Sequence, residues 1–90
     1  MKRFQLYVRG RVQGVGFRYT CQARALTYHL TGYCENFPDG TVYVEIQGNE
    51  EDCYNVIRET QKPDRFIRVD DIEIHELPVN PKETRFKVAY

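Results

Sequence analysis

The sequence predicts an α+β fold of element order βαββαβ, an antiparallel sheet with two helices on one face, and it leaves room for a short extra strand near the C-terminus. Three observations predict it. Apolar side chains alternate with period two over residues 3–9, 42–47 and 71–75, as in strands with one buried face. Two intervening segments shift to spacings of three and four, as in helices. Glycine, proline and asparagine stand where the period changes, as turns require.

In the first strand Phe4, Leu6 and Val8 alternate with Gln5, Tyr7 and Arg9, and Gly10 is expected to end it. From about Arg18 to Tyr28 the period is helical: Phe17, Cys21, Ala25 and Tyr28 share one stripe, and Leu26 lies off it. Gly32 to Phe37 reads as the second strand. Pro38-Asp39-Gly40 then supplies a fixed φ, a side chain that bonds its own backbone and a residue tolerant of positive φ, which together make a tight turn. In the third strand Val42, Val44 and Ile46 alternate with Tyr43, Glu45 and Gln47. After Gly48-Asn49, the acids Glu50, Glu51 and Asp52 suit a helix N-terminus, and Cys53, Val56, Ile57 and Thr60 form the second helical stripe. Lys62-Pro63-Asp64 breaks that helix, Ile72 and Ile74 mark a fourth strand, Pro78 and Pro81 a loop, and Phe86 and Val88 the short last strand. This order is the ferredoxin-like arrangement.

Composition narrows the function. Ninety residues with 41% hydrophobic content make one domain, 1–90, with a single core. Lysine plus arginine and aspartate plus glutamate number 13 each, so no global field draws the chain to nucleic acid or anionic lipid. No apolar run approaches the roughly 20 residues of a membrane span, and Met1-Lys2-Arg3 leads into a strand pattern, so the cytosol is the expected compartment. Cys21, Cys34 and Cys53 lack zinc-ligand or Cys-x-x-Cys spacing and are expected as small buried residues, with a Cys21–Cys53 bridge between the helices left open. His29 and His75 are expected at a turn or the surface, and Asp71, Glu73 and Glu76 on a solvated strand face, not as metal ligands.

Between the first strand and the first helix lies Gly10-Arg11-Val12-Gln13-Gly14-Val15-Gly16-Phe17-Arg18. Glycines in such a turn let consecutive N–H groups face one concavity, and the helix that follows adds its positive end. Arg18 would bring a planar, permanently charged fork to the same place, suited to two phosphoryl oxygens. Neither better-known phosphate pattern fits. A dinucleotide fingerprint needs glycine where Tyr19 stands, and a P-loop needs Lys then Ser or Thr where Phe17 and Arg18 stand.

This segment resembles the acylphosphatase signature Gly-x-Val-Gln-Gly-Val-x-Phe-Arg through Gly10, Val12, Gln13, Gly14, Val15, Phe17 and Arg18. A second signature of that family resembles Gly32-Tyr33-Cys34-Glu35-Asn36-Phe37-Pro38-Asp39-Gly40-Thr41-Val42, with Gly48 closing it. The resemblance covers essentially the whole chain. It implies a hydrolase of acyl phosphates that needs neither metal nor organic cofactor. It further implies that Gln13, Gly14, Val15, Gly16 and Phe17 cradle a phosphate, or a sulfate mimic, through backbone N–H groups, that Arg18 binds it by charge, and that Asn36 orients the attacking water. Partners beyond a small acyl phosphate and the inorganic phosphate product are not expected: no nucleic acid, no membrane, a monomer. Three positions depart from the family pattern. Cys34 replaces the common valine, Glu35 brings an acid that Arg9 and Arg11 are expected to offset, and His29 occupies a glycine position that calls for left-handed backbone. Two other classes remain in view. A non-catalytic phosphate-binding domain would keep the loop without turnover, and a nucleic-acid module would use Tyr7, Tyr33 and Tyr43 on the open sheet face.

Overall fold

In a computed structural model of the chain, the structure describes residues 1–62 and 64–89. Chain order runs β1 (Lys2–Arg11), α1 (Phe17–Thr27), β2 (Thr31–Asn36), β3 (Val42–Gly48), α2 (Glu50–Thr60), β4 (Arg68–Leu77) and β5 (Phe86–Val88). The strands lie side by side as β4-β1-β3-β2-β5. Both helices pack on one face, α1 against β2 and β5 and α2 against β1 and β3.

Strands β1 to β4 pair antiparallel as expected, and the extra strand β5 makes the sheet mixed by running parallel to β2, the chain having crossed from the β4 edge to the opposite edge. One expectation is corrected. Gly10 does not end β1, which continues to Arg11 through an irregularity in its pairing with β4 between Arg9 and Gly10. Pro63, expected as part of the helix breaker, lies outside the described residues.

Period-two alternation becomes two faces. Toward the helices point Phe4, Leu6 and Val8 of β1, Val42, Val44 and Ile46 of β3, and Cys34 of β2; the helices answer with Phe17, Cys21 and Ala25, and with Cys53, Val56 and Ile57. Each large apolar side chain so withdrawn from water contributes about 1.5–3 kcal/mol. Leu26 stays exposed, and Ile74, on the β4 edge, is 42% exposed. Helix α2 starts as its sequence suggests, with the Asn49 side chain accepting from the Glu51 N–H at 2.9 Å. Helix α1 ends with His29 at φ 58°, the left-handed conformation anticipated for the position.

Candidate active site

The candidate site forms where β1 runs out. Val12 is buried, which turns the chain inward, and residues 13–16 make a tight turn into α1. Gly14 and Gly16 hold φ of 74° and 80°, left-handed conformations that cost a residue with a side chain about 1–2 kcal/mol each. Gly16 is also the N-cap of α1 and supplies no side-chain cap. The turn runs straight into α1, whose first-turn N–H groups have no acceptor within the helix itself. Val12, Gly14, Gly16, Phe17, Arg18 and Tyr19 line a concavity of about 230 Å³ at this turn. The positive end of a helix behind a glycine turn makes this an anion-attracting hollow.

Gln13 fixes the loop in place. Its side-chain Nε2 donates to the carbonyls of Phe37 at 2.8 Å and Thr41 at 3.0 Å, tying the loop to the β2–β3 turn. That turn is itself closed by the Phe37 N–H on the Thr41 carbonyl at 2.8 Å and by the Thr41 N–H on Asp39 Oδ1 at 2.9 Å. The latter bond holds the Asp39 carboxyl below its ordinary value.

Arg18 reaches to the residue just after β5, donating from Nη1 to the Ala89 carbonyl at 2.7 Å. Its own carbonyl receives the Cys34 thiol at 3.7 Å. Burial pushes that thiol up to about 12, and the Arg18 charge opposes the shift, so the guanidinium acts on the β2 residue beneath it. Asn36 lies two residues beyond Cys34 on the same face, in the cross-strand row Val8–Val42–Asn36. Val8 and Val42 are fully buried, whereas Asn36 is exposed at the end of the helix layer. The Cys34–Arg18 contact stands on one side of Asn36 and the Gln13–Phe37 bond on the other. The glycine loop, the start of α1 that carries Arg18 and the end of β2 that carries Asn36 therefore lie at one end of the molecule.

Glu35 points to the opposite face, across from Tyr43. Arg9 does not offset it, because its guanidinium is engaged by Asp71 at 3.0 Å and Glu73 at 3.4 Å. All three cysteines are buried and free, so Cys21 and Cys53 are not bridged. Burial raises the Cys21 thiol strongly and moves Cys53 to about 11, and neither is a nucleophile at neutral pH. Among the described residues, no group of three or more His, Cys, Asp and Glu is arranged to hold a metal ion.

A larger cavity, about 760 Å³, opens at the other end of the sheet beside Arg3, Tyr33, Glu45 and Glu83. It is remote from the glycine loop, and its carboxylates are already taken. Arg3 binds Glu83 through both oxygens at 2.9 and 3.0 Å and Glu45 at 2.8 Å. Tyr33 and Tyr43 also donate to Glu45.

Two contributors were not identified from sequence. The Gln13 side chain acts as a tie between loops, while its backbone alone was assigned a role; the signal available was only its place inside the motif. The Ala89 carbonyl that steers Arg18 carries no sequence signal, since any residue presents one.

A family model described as acylphosphatase matches residues 4–88. Similar relatives include an acylphosphatase of Clostridium acetobutylicum, 43% identical over 90 residues that cover 100% of this chain and 99% of the relative. Another from Clostridium beijerinckii is 42% identical, with 100% of both chains covered. Among solved structures, an acylphosphatase from Bacillus subtilis matches with a TM-score of 0.94 at 33% identity, again over 100% of both chains.

Proposed function

The chain belongs to the acylphosphatase family and is an enzyme that hydrolyses acyl phosphates to a carboxylate and inorganic phosphate, and from that premise we propose how its residues divide the work. Backbone N–H groups of Gln13, Gly14, Val15, Gly16 and Phe17 hold the phosphoryl oxygens. Arg18 supplies a fixed positive charge to two of them, and Asn36 orients a water in line with the bond to be broken. What supports this reading is that the Gln13 side chain ties the glycine loop to Phe37, the neighbour of Asn36, and that the Cys34 thiol, two residues before Asn36, meets the backbone carbonyl of Arg18.

The chemistry asks little more. The water oxygen attacks phosphorus, the bond to the acyl oxygen breaks with its electron pair, and a carboxylate leaves. A carboxylic acid has a pKa near about 4, so the leaving group needs no general acid at neutral pH. Asn36 cannot accept a proton at pH 7, so the water's proton passes to a phosphoryl oxygen and inorganic phosphate is released. Positioning and stabilisation of charge on the equatorial oxygens supply the catalysis. The same reading takes the chain as one domain, acting as a monomer in the cytosol without metal or organic cofactor. The family assignment disfavours the non-catalytic alternative.

Benzoyl phosphate hydrolysis in EDTA tests the assignment. Wild type should turn over fully, and Arg18→Ala should lose about 10³-fold in kcat. Full activity in a folded Arg18→Ala protein would overturn the role given to Arg18.

A further inference from the structure

The proposed chemistry grips the phosphoryl end of the substrate and says nothing of the acyl end. Beside the glycine loop, between the C-terminus of α2 and the start of β4, lies a cleft of about 310 Å³. Arg11, Lys62 and Arg65 stand around it, with Phe66, Ile67 and Val69 as apolar wall. Arg11 immediately precedes Val12, which lines the phosphate hollow, and β4 is held against it by the pairing of Arg11 with Arg68. Two residues, Val12 and Gln13, stand between Arg11 and Gly14, a Cα span of at most about 11 Å. Cleft and hollow are neighbours.

Its charge is unbalanced. Among the described residues, Arg11, Lys62 and Arg65 make no ion pair, whereas Arg68 is matched by Asp70 at 2.9 Å. Asp64 is the acid on the cleft, and its Oδ1 accepts the Phe66 N–H at 3.2 Å. In a chain with formal net charge +0, three unmatched cations facing one acid beside a phosphate hollow make a local excess of positive charge. Phe66 is 56% exposed, with the Arg65 guanidinium 5.2 Å from its ring centroid. An apolar ring flanked by cations suits a short methylene chain that ends in an anion.

We propose that this cleft receives the acyl end of the substrate and selects acyl phosphates whose acyl chain carries a second, terminal negative charge. The inference rests on the phosphoryl group lying in the glycine loop. The cations act on binding in the ground state and the transition state alike, so the preference belongs in KM and not in kcat.

Matched substrates read it out. Succinyl phosphate ends in a carboxylate, 3-phosphonopropionyl phosphate in a phosphonate, and butyryl phosphate in a methyl group of similar reach. At low ionic strength kcat/KM should be about tenfold higher for at least one anionic substrate than for butyryl phosphate, as expected for one or two partly exposed ion pairs. The larger gain identifies which terminus the cleft takes. The combined variant Arg11→Gln, Lys62→Gln, Arg65→Gln should bring both ratios to about one, as should 0.5 M salt on wild type. Ratios near one in wild type, or ratios unchanged in the variant, would overturn the proposal. Arg18→Ala separates the two readings. If it removes turnover of all three substrates while the wild-type ratios are near one, only the acyl-end inference fails; if it leaves turnover intact, the phosphate-loop reading fails.

Discussion

Arg3 and Arg18 stand at opposite ends of this fold, each carrying a permanent charge, and their surroundings differ in kind. Arg3 is 5% exposed and is enclosed by Glu83, Glu45 and the Gln47 side chain, with every contact made by protein. Its cluster pins the segment after β4 across the open face of the sheet, helped by the Gln47 side chain, which donates to the Asn80 carbonyl and accepts the Asn80 N–H. Arg18 is only half-buried, donates to a backbone carbonyl, and lines the hollow at the start of α1. A charge enclosed by fixed carboxylates holds a fold together. One half-buried at the positive end of a helix stands where an anion is attracted.

If that contrast is right, variants at the two ends should fail differently. Arg3→Ala should destabilise the protein by about 3–5 kcal/mol, because it strips Glu83 of both guanidinium hydrogen bonds and Glu45 of its cation in a largely buried setting. A denaturant titration measures the loss, and the protein that remains folded should keep its kcat on benzoyl phosphate. Asn36→Ala should do the reverse. Turnover should fall by about 10²-fold with stability nearly unchanged, and inhibition by inorganic phosphate should weaken far less than kcat, which steady-state kinetics can resolve.

Gln13→Ala sits between the two cases. It removes two hydrogen bonds that join the glycine loop to the β2–β3 turn, for about 1–2 kcal/mol of stability. Thermal unfolding should show that loss, accompanied by a raised KM as the loop loses its anchor to the strand that carries Asn36.

The smallest effect concerns pH at the Arg3 end. Desolvation pushes the Glu45 carboxyl up, but hydrogen bonds from Tyr43, Arg3 and Tyr33 outweigh it and hold the group below its ordinary value of 4.5. A depressed carboxyl stabilises the fold above its unfolded-state pKa, and that contribution disappears as pH falls through the lower folded-state value. Glu45→Gln should therefore flatten the decline in stability below about pH 4.5, seen by comparing unfolding midpoints of the two proteins across that range.

Sequence reasoning reached different depths at the two ends. Alternation in β1 and β3 and the stripe Cys53, Val56, Ile57 and Thr60 foretold the buried faces, because periodicity is a local property that the chain records directly. The glycine turn was legible for a related reason: left-handed backbone at Gly14 demands a residue type, and that demand is part of the motif. The direction of β5 was not legible, since parallel and antiparallel edge strands of three residues read alike. Nor was the Arg3–Glu45–Glu83 cluster, whose members are separated by up to 80 positions and resemble ordinary surface charges until the fold brings them together. For the same reason the offset of Glu35 expected from Arg9 does not occur, and the Arg9 guanidinium is found with Asp71 and Glu73.

Titration of inorganic phosphate into the isotope-labelled protein, followed residue by residue by NMR, addresses the convergence of loop, arginine and carboxamide most directly. The backbone amides of Gln13 to Phe17, the Arg18 Nε–H and the Asn36 side-chain amide should shift together along one saturation curve with a single Kd. Shifts confined to the Lys82–Lys87 side of the Arg3 end, or an Asn36 amide that stays still while the loop saturates, would contradict it.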